Sequence, residues 1–377
     1  MCLSEKPRVN WSGQAALNRL LPLLLPVARV KVSSFQAETL KSSQWVDLAH
    51  RRGLAPAFYT FLRQGEHWNL VPSAVQKRLE IAFHENVANS MARESALTAI
   101  LEVFKTMGTV PVLLKGVAFA TELYPDPAAR LAGDIDLLIA PEWKEEVIRR
   151  LKKAGCRLVS QPPIPPGKFK SLLRRAGEKC GLVPAHDCDD HEDGTEAVFL
   201  TRVADQDILI EIHSYLINLR AGGGKAQVFR SRDEGLPASR LLQLAAGEVK
   251  VLDYQAGFLH ALRHVALHHR LIGLRWHHDL ALMLVHWEKF LDAGQIRERC
   301  RELNSEKILN VELAVLQDLF GPGIFSETGR PRWTTGSLPW EYPLYHHVAR
   351  GGKRTPLREL VRTLLAPRWR EQLQTLT

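Results

Sequence analysis

The segment from Val110 to Ile139 constrains the fold more than any other part of the chain. It contains two short apolar runs that predict β-strands, VPVLL and DIDLLI, and a helical pattern between them. Side chains along a strand alternate between its two faces, so Asp134 and Asp136 lie on one face and the apolar residues between and after them on the other. The apolar face predicts a core contact, and the opposite face presents two neighbouring carboxylates.

Two carboxylates on one strand face repel each other unless a cation lies between them. Divalent ions such as Mg²⁺ or Mn²⁺ prefer carboxylate oxygens, and Mg²⁺ also binds substrate phosphates. The later strand DILIEIHSYL places Glu211 and His213 together on one face. A third carboxylate on a neighbouring strand predicts a site for two cations, which stabilise the attacking and leaving oxygens of phosphoryl transfer. Solvated aspartates at a strand edge, with a solvated Glu211, are the alternative interpretation.

Lys115 and Gly116 lie at the predicted turn between the first strand and the following helix. A glycine at such a turn lets the backbone approach a phosphate, and the N-terminus of a helix favours an anion. Lys115 and Arg130 are therefore candidates for contacts with phosphate oxygens, with Arg130 as a bidentate clamp. Alternatively, Lys115 is an exposed surface side chain and Arg130 only pairs with Asp126 or Asp134.

Seven histidines follow in the predicted C-terminal helices. His260, His264 and His268 are four residues apart, which places them on one face of a helix. A zinc site needs further ligands in a defined geometry, so a zinc-dependent hydrolase is an alternative function. We predict instead that some of these residues line a cleft opposite the carboxylates. His264 and Asp279 are predicted to contact substrate, as is His213, which shares the face of Glu211. A structural hydrogen bond for His213 and a packing role for Asp279 are the alternatives.

The overall composition is that of a soluble globular protein, with 377 residues of which 45% are hydrophobic and 24% charged. A formal net charge of +9 favours an anionic partner such as a nucleotide or RNA. The five cysteines include no CxxC pair, which fits free thiols in a reducing cytoplasm. Prolines interrupt the leucine-rich segment near the N-terminus, so neither a membrane span nor a secretory leader is predicted. We expect a cytoplasmic protein that does not bind membranes.

Three regions are predicted along the chain. Residues 1–107 are expected to be helical, residues 108–220 to form a catalytic core with an irregular insertion at about 160–195, and residues 221–377 to form a C-terminal helical domain. The chain is expected to be helical from Ala238 onward. The fold class expected is therefore α+β, with a small mixed β-sheet core flanked by helices. Loose metal binding by the HDCDDHEDG run and RNA binding by the basic, tryptophan-containing tail remain alternatives to ordinary solvated surfaces.

As a set, these motifs resemble the nucleotidyltransferase superfamily of the DNA polymerase β type. More narrowly, they resemble a poorly characterised bacterial nucleotidyltransferase group with the signature LLKG…LY…R…DIDLL. The matching residues are Leu113-Leu114-Lys115-Gly116, Leu123-Tyr124, Arg130, Asp134-Ile135-Asp136-Leu137-Leu138 and Glu211-Ile212-His213. The resemblance covers roughly residues 90–290. The chain departs from the superfamily at Val117, where a serine is common, so a hydroxyl contact to phosphate is absent.

The resemblance implies a metal-dependent enzyme that transfers a nucleoside monophosphate from an NTP such as ATP to an acceptor and releases pyrophosphate. The residues implied are Asp134, Asp136 and Glu211 for catalysis and for binding Mg²⁺ or Mn²⁺, and Lys115, Gly116 and Arg130 for binding the nucleotide. The acceptor, whether a small molecule, a protein or peptide, or an RNA, is left open. The main alternative is a catalytically silent nucleotide-binding or interaction module with the same fold, which the missing serine favours.

Overall fold

The computed structural model describes most of the chain between Trp11 and Phe320. The described residues are 11–26, 33–65, 67–160, 195–214, 216, 238–269, 271, 273–303, 305–321, 324 and 342. The predicted insertion, apart from its end residues, and the basic tail, apart from Tyr342, lie outside this set. The interpretations of the HDCDDHEDG run and of the tail tryptophans therefore concern residues outside the described part.

Eleven α-helices occupy the described residues. They are α1 (Trp11–Leu20), α2 (Ser34–Leu40), α3 (Val46–Arg51), α4 (Ala55–Gln64), α5 (Ser73–Thr106), α6 (Lys115–Leu123), α7 (Lys144–Lys153), α8 (Tyr254–Arg263), α9 (Leu274–His286), α10 (Ala293–Glu302) and α11 (Glu306–Phe320). Helix α1 gives way to a 3-10 turn that contains Pro22, because proline lacks the amide hydrogen that a continuing helix needs. The 34-residue α5 lies within the N-terminal region that was predicted to be helical. None of the described helices is long and apolar enough to cross a lipid bilayer.

Seven strands form one mixed sheet, which confirms the predicted α+β class. They are β1 (Val112–Leu114), β2 (Asp134–Leu138), β3 (Arg157–Ser160), β4 (Thr195–Val203), β5 (Gln206–His213), β6 (Ser239–Leu244) and β7 (Gly247–Leu252). Their order across the sheet is β3-β4-β5-β2-β1-β7-β6. The pairs β2–β5 and β1–β7 are parallel, and the other neighbours are antiparallel.

The prediction that the chain is helical from Ala238 onward is wrong for residues 239–252, which form the hairpin of β6 and β7. Strand β7 pairs with β1 and so extends the central sheet. A signal for this hairpin was present in the sequence, since Val249 and Val251 alternate with polar residues and both are buried. Gly247 follows the tight turn and has a φ of 117°. Glycine adopts such a positive φ readily. The proposed division into three regions stays a prediction.

The two faces of the sheet have different roles. The apolar side chains of β1, β2 and β5, among them Leu113, Ile135 and Ile210, belong to the main core, together with Ile100 and Phe104 of α5. The opposite face of β2 and β5 carries the predicted carboxylates. Successive side chains of a strand point to opposite faces of the sheet. Burial of the apolar side chains in the core therefore places the polar side chains on the opposite face.

Two adjacent histidines of α9 are buried in opposite electrostatic surroundings. Nδ1 of His277 lies 2.6 Å from Oε1 of Glu312, and Nε2 of His278 lies 2.8 Å from the carbonyl oxygen of Leu24. Burial alone lowers the pKa of His277, but the Glu312 carboxylate outweighs it and raises that pKa above 6.5. Burial lowers the pKa of His278 to about 4.

These shifts predict a stability maximum near neutral pH. A raised histidine pKa contributes stability that is present below the unfolded value of 6.5 and lost as pH rises through the folded value. The lowered pKa of His278 has the opposite sign, so its contribution is lost as pH falls from 6.5 towards 4. Urea unfolding between pH 4.5 and 9 should show a decline above pH 6.5 that Glu312→Gln abolishes, and a loss on the acid side that His278→Gln reduces. A decline above pH 6.5 that persists in Glu312→Gln would contradict the assignment.

Candidate functional site

Side chains of the parallel strands β2 and β5 bring three ligand atoms together on the polar face of the sheet. Asp136 is paired in register with Glu211. Nε2 of His213 lies 3.0 Å from Oδ1 of Asp136 and 3.6 Å from Oε2 of Glu211. Within the described part of the chain, no other group of three or more His, Cys, Asp or Glu residues places its ligand atoms within 4.8 Å of one another. This arrangement suits a cation.

Asp134 lies two residues before Asp136 on the same face of β2 and is half-buried. Burial and then the charge of Asp136 raise the pKa of Asp134. Burial also opposes ionisation of Asp136, but the Lys115 ammonium and the hydrogen bond from His213 hold the pKa of Asp136 well below its usual value. The two aspartates are therefore electrostatically different, and Asp136 carries the firmly held negative charge of the site.

Lys115 points at this charge from the turn between β1 and α6. Its Nζ lies 3.4 Å from Oδ1 of Asp136, and its side chain is only 12% exposed, so it is not a surface lysine. The backbone φ of Lys115 is 36°, a positive value that residues other than glycine rarely adopt. Such backbone strain is often found at functional sites. A Cβ on Gly116 would lie 3.3 Å from the carbonyl oxygen of Asp134, so glycine allows the turn to approach β2 closely.

Arg130 is buried beside the site but directed away from it. Its Nε and Nη2 donate to the two carboxylate oxygens of Asp279 at 2.9 and 2.7 Å, and its Nη1 donates to the carbonyl oxygen of Gly116 at 3.1 Å. Tyr124 also donates to Asp279, at 2.8 Å. Because the side chains of Arg130 and Asp279 are almost completely buried, a phosphate contact by Arg130 or a substrate contact by Asp279 would require their surroundings to move, and both roles stay predictions. The pair instead connects α9 to the turn that carries Lys115.

Side chains of α5 and α9 hold the backbone of the loop before β2, residues 128–132, by hydrogen bonds. Four of its carbonyl groups accept hydrogen bonds: Ala128 (2.7 Å) and Arg130 (3.0 Å) from Asn86, Leu131 (2.9 Å) from Arg275, and Ala132 (2.7 Å) from Arg93. Burial, followed by the neighbouring charge of Arg130, lowers the pKa of Arg275 to about 10. Asn86, Arg93 and Arg275 were not predicted from the sequence, because nothing in the local pattern of α5 or α9 indicates a partner so distant along the chain.

His260 of α8 and His264, in the π-helical segment that follows α8, belong to an aromatic cluster. The ring centroids of His260 and His264 are 5.9 Å apart, and His264 also contacts Trp276 edge-on at 5.7 Å. His264 is 9% exposed, so the structure places it at the margin of the interior. His260 is near enough to the carboxylates for its charge to lower the pKa of Asp136. The side chain of His268 is outside the described set, so its place in the zinc alternative is untested.

Comparison with known proteins gives one match. A family model described as "uncharacterised nucleotidyltransferase" matches residues 39–321, a span that contains all the site residues discussed above. No curated protein and no solved structure matches the chain. Because the matched span exceeds half of the 377 residues, the site on β2 and β5 belongs to a member of this family of uncharacterised nucleotidyltransferases.

Proposed function

We propose that the protein transfers a nucleoside monophosphate from an NTP to an acceptor hydroxyl in a metal-dependent reaction that releases pyrophosphate. We also propose that its catalytic core is of the DNA polymerase β type. The observation that supports this most is the placement of Asp134, Asp136 and Glu211 on one face of two adjacent parallel strands, with the Lys115 ammonium beside them. Membership of a nucleotidyltransferase family supports the reaction class. The acceptor remains a small molecule, a protein or peptide, or an RNA.

The chemistry of the donor groups fits a divalent ion, since carboxylates are preferred ligands of Mg²⁺ and Mn²⁺. Asp134, Asp136 and Glu211 would hold the ions, which would neutralise the triphosphate and stabilise charge at the reacting phosphate. Lys115 would donate to a phosphate oxygen from its present position beside Asp136. Glu211, whose side chain is 15% exposed, would accept the proton of the acceptor hydroxyl.

In this proposal Arg130 and Asp279 position the site and do not contact the nucleotide. Both are buried, and their paired charges satisfy each other. The hydrogen bond from Arg130 to the Gly116 carbonyl holds the turn that presents Lys115. Such a pair acts through the geometry of the turn, and its loss would change where the Lys115 ammonium lies.

A transfer assay tests the proposal. The purified protein is incubated with each α-labelled NTP, Mg²⁺ or Mn²⁺, and an extract of the source cells that contains small molecules, RNA and protein. Label transfer and pyrophosphate release are expected, and the Asp134→Ala, Asp136→Ala double variant should lose both. Asp205→Ala is the matched control, because Asp205 is fully exposed and distant from the site in the β4–β5 turn. The absence of transfer, together with the absence of NTP binding by calorimetry, would refute the proposal.

The silent-module alternative rests on Val117. This residue follows Gly116 in α6 and packs against the core, so no hydroxyl is present where the superfamily commonly has serine. Binding of NTP by the wild-type protein without transfer to any acceptor class would favour this second function.

A further inference from the structure

We infer that His213 is a direct ligand of the metal ion and gives the site a preference for Mn²⁺ over Mg²⁺. The inference rests on the proposed function, since it concerns the ion of the same site. One imidazole nitrogen of His213 faces both carboxylates. Nε2 of His213 lies 3.0 Å from one oxygen of Asp136 and 3.6 Å from one oxygen of Glu211.

The two separations from the His213 nitrogen are close to those of neighbouring ligands around one ion, and all three atoms lie within 4.8 Å of one another. Neighbouring ligands of an octahedral ion are separated by about 3.0 Å when the bonds are about 2.1 Å long, and by more when the bonds are longer. The nitrogen of His213 and the oxygen of Asp136 are already at that separation, and the nitrogen and the oxygen of Glu211 are only slightly beyond it. An ion could therefore bind all three atoms with small side-chain movements, once Nε2 of His213 has given up its proton and presents its lone pair.

A purely orienting role for His213 explains the geometry less completely. A histidine that orients a metal-bound carboxylate donates one N–H to one oxygen from outside the site. Here the nitrogen is within hydrogen-bond distance of Asp136 and also lies 3.6 Å from Glu211 on the adjacent strand, a proximity that an orienting hydrogen bond to Asp136 does not require. The backbone fixes this arrangement, because β2 and β5 pair in register and His213 follows Glu211 on the same face of β5.

The combination of carboxylate and imidazole ligands favours Mn²⁺ over Mg²⁺. Mg²⁺ strongly prefers oxygen ligands and retains its waters, whereas imidazole nitrogen suits first-row transition ions. Mn²⁺ accepts carboxylate oxygen as readily as Mg²⁺ does and also accepts imidazole. A site of two carboxylates and one imidazole should therefore bind Mn²⁺ more tightly. Asp134 lies outside this three-atom group and is left for an ion that arrives with the NTP.

The test measures metal binding without nucleotide, so it does not depend on knowing the acceptor. MnCl₂ and MgCl₂ are titrated separately by calorimetry into the wild type, His213→Ala and the control His84→Ala, which changes an exposed histidine. We expect Mn²⁺ to bind the wild type more tightly than Mg²⁺, and His213→Ala to weaken Mn²⁺ binding by roughly 10–100-fold. Mg²⁺ binding should change by less than about threefold, because imidazole is a poor ligand for that ion. His84→Ala should leave both affinities unchanged.

Pulsed electron paramagnetic resonance gives a second measurement that does not require the variant to fold. Bound Mn²⁺ in the wild type should show modulation from a directly coordinated ¹⁴N nucleus. The modulation should persist in His260→Ala, which removes the other histidine whose charge reaches Asp136. No nitrogen modulation, or equal Mn²⁺ affinity in folded His213→Ala, would overturn the ligand role and leave the proposed transferase standing. Failure of the wild type to bind either ion without nucleotide would also overturn the ligand role, and the transfer assay would then decide the proposed function separately.

Discussion

Replacing Arg130 by methionine is expected to lower the free energy of unfolding by about 3–5 kcal/mol. The variant removes two of the three hydrogen bonds described for the buried Asp279 carboxylate and leaves the one from the hydroxyl of Tyr124, and an uncompensated buried charge is costly. Arg130→Lys should also be strongly destabilising, since an ammonium cannot form the two parallel hydrogen bonds of a guanidinium. Urea unfolding followed by tryptophan fluorescence measures the change.

A matched control and a second variant identify the cause. Arg149→Met removes an arginine that is 61% exposed and paired with Glu146 on the surface of α7, and it should leave the free energy of unfolding almost unchanged. The double variant Arg130→Met, Asp279→Leu removes both buried charges and should recover much of the lost stability. If Arg130→Met is no more destabilising than Arg149→Met, the pair does not hold α9 to the Lys115 turn.

The sequence predicted the parts of the site that follow from strand periodicity. Alternation placed Asp134 with Asp136 and Glu211 with His213, and the register of β2 with β5 then brought the two sets together. The turn at Lys115 and Gly116 was also predicted from the local sequence, because an apolar strand changes there to a helical pattern. These predictions depend on local rules that hold once the apolar face of the sheet is buried.

Other parts of the site depend on contacts that no local pattern contains. Arg130 lies 149 residues before Asp279, and the sequence offered Asp126 and Asp134 as nearer partners. Asp126 instead accepts from the amide of Ala128 at the start of a 3-10 turn. Only the packing of α9 against α6 brings Asp279 within reach of Arg130. An arginine with several nearby acids is therefore a weak indication of a phosphate contact until the partner is known.

The two aspartates of β2 are expected to affect stability in opposite directions when each is replaced by asparagine. The pKa of Asp134 is raised, so its ionisation at pH 7 opposes folding, and Asp134→Asn should stabilise the metal-free protein. The pKa of Asp136 is lowered, so its carboxylate contributes stability above pH 3.8 that is lost on acidification. Asp136→Asn removes the partner of Lys115 and should destabilise the protein by about 1–3 kcal/mol.

Both substitutions should nevertheless reduce transfer activity by at least about 1,000-fold, because each removes a carboxylate from the proposed metal site. Urea unfolding in the presence of a chelator, at pH 7 and pH 5, measures the stability changes, with Asp205→Asn as the exposed control. The advantage of Asp134→Asn should shrink at pH 5, since the native Asp134 carboxyl then gains its proton more readily. A stability change of the same sign in both variants would contradict the charge arrangement. If the two variants change the free energy of unfolding in opposite directions and both lose activity, the charge of Asp134 is needed for the reaction although it destabilises the fold.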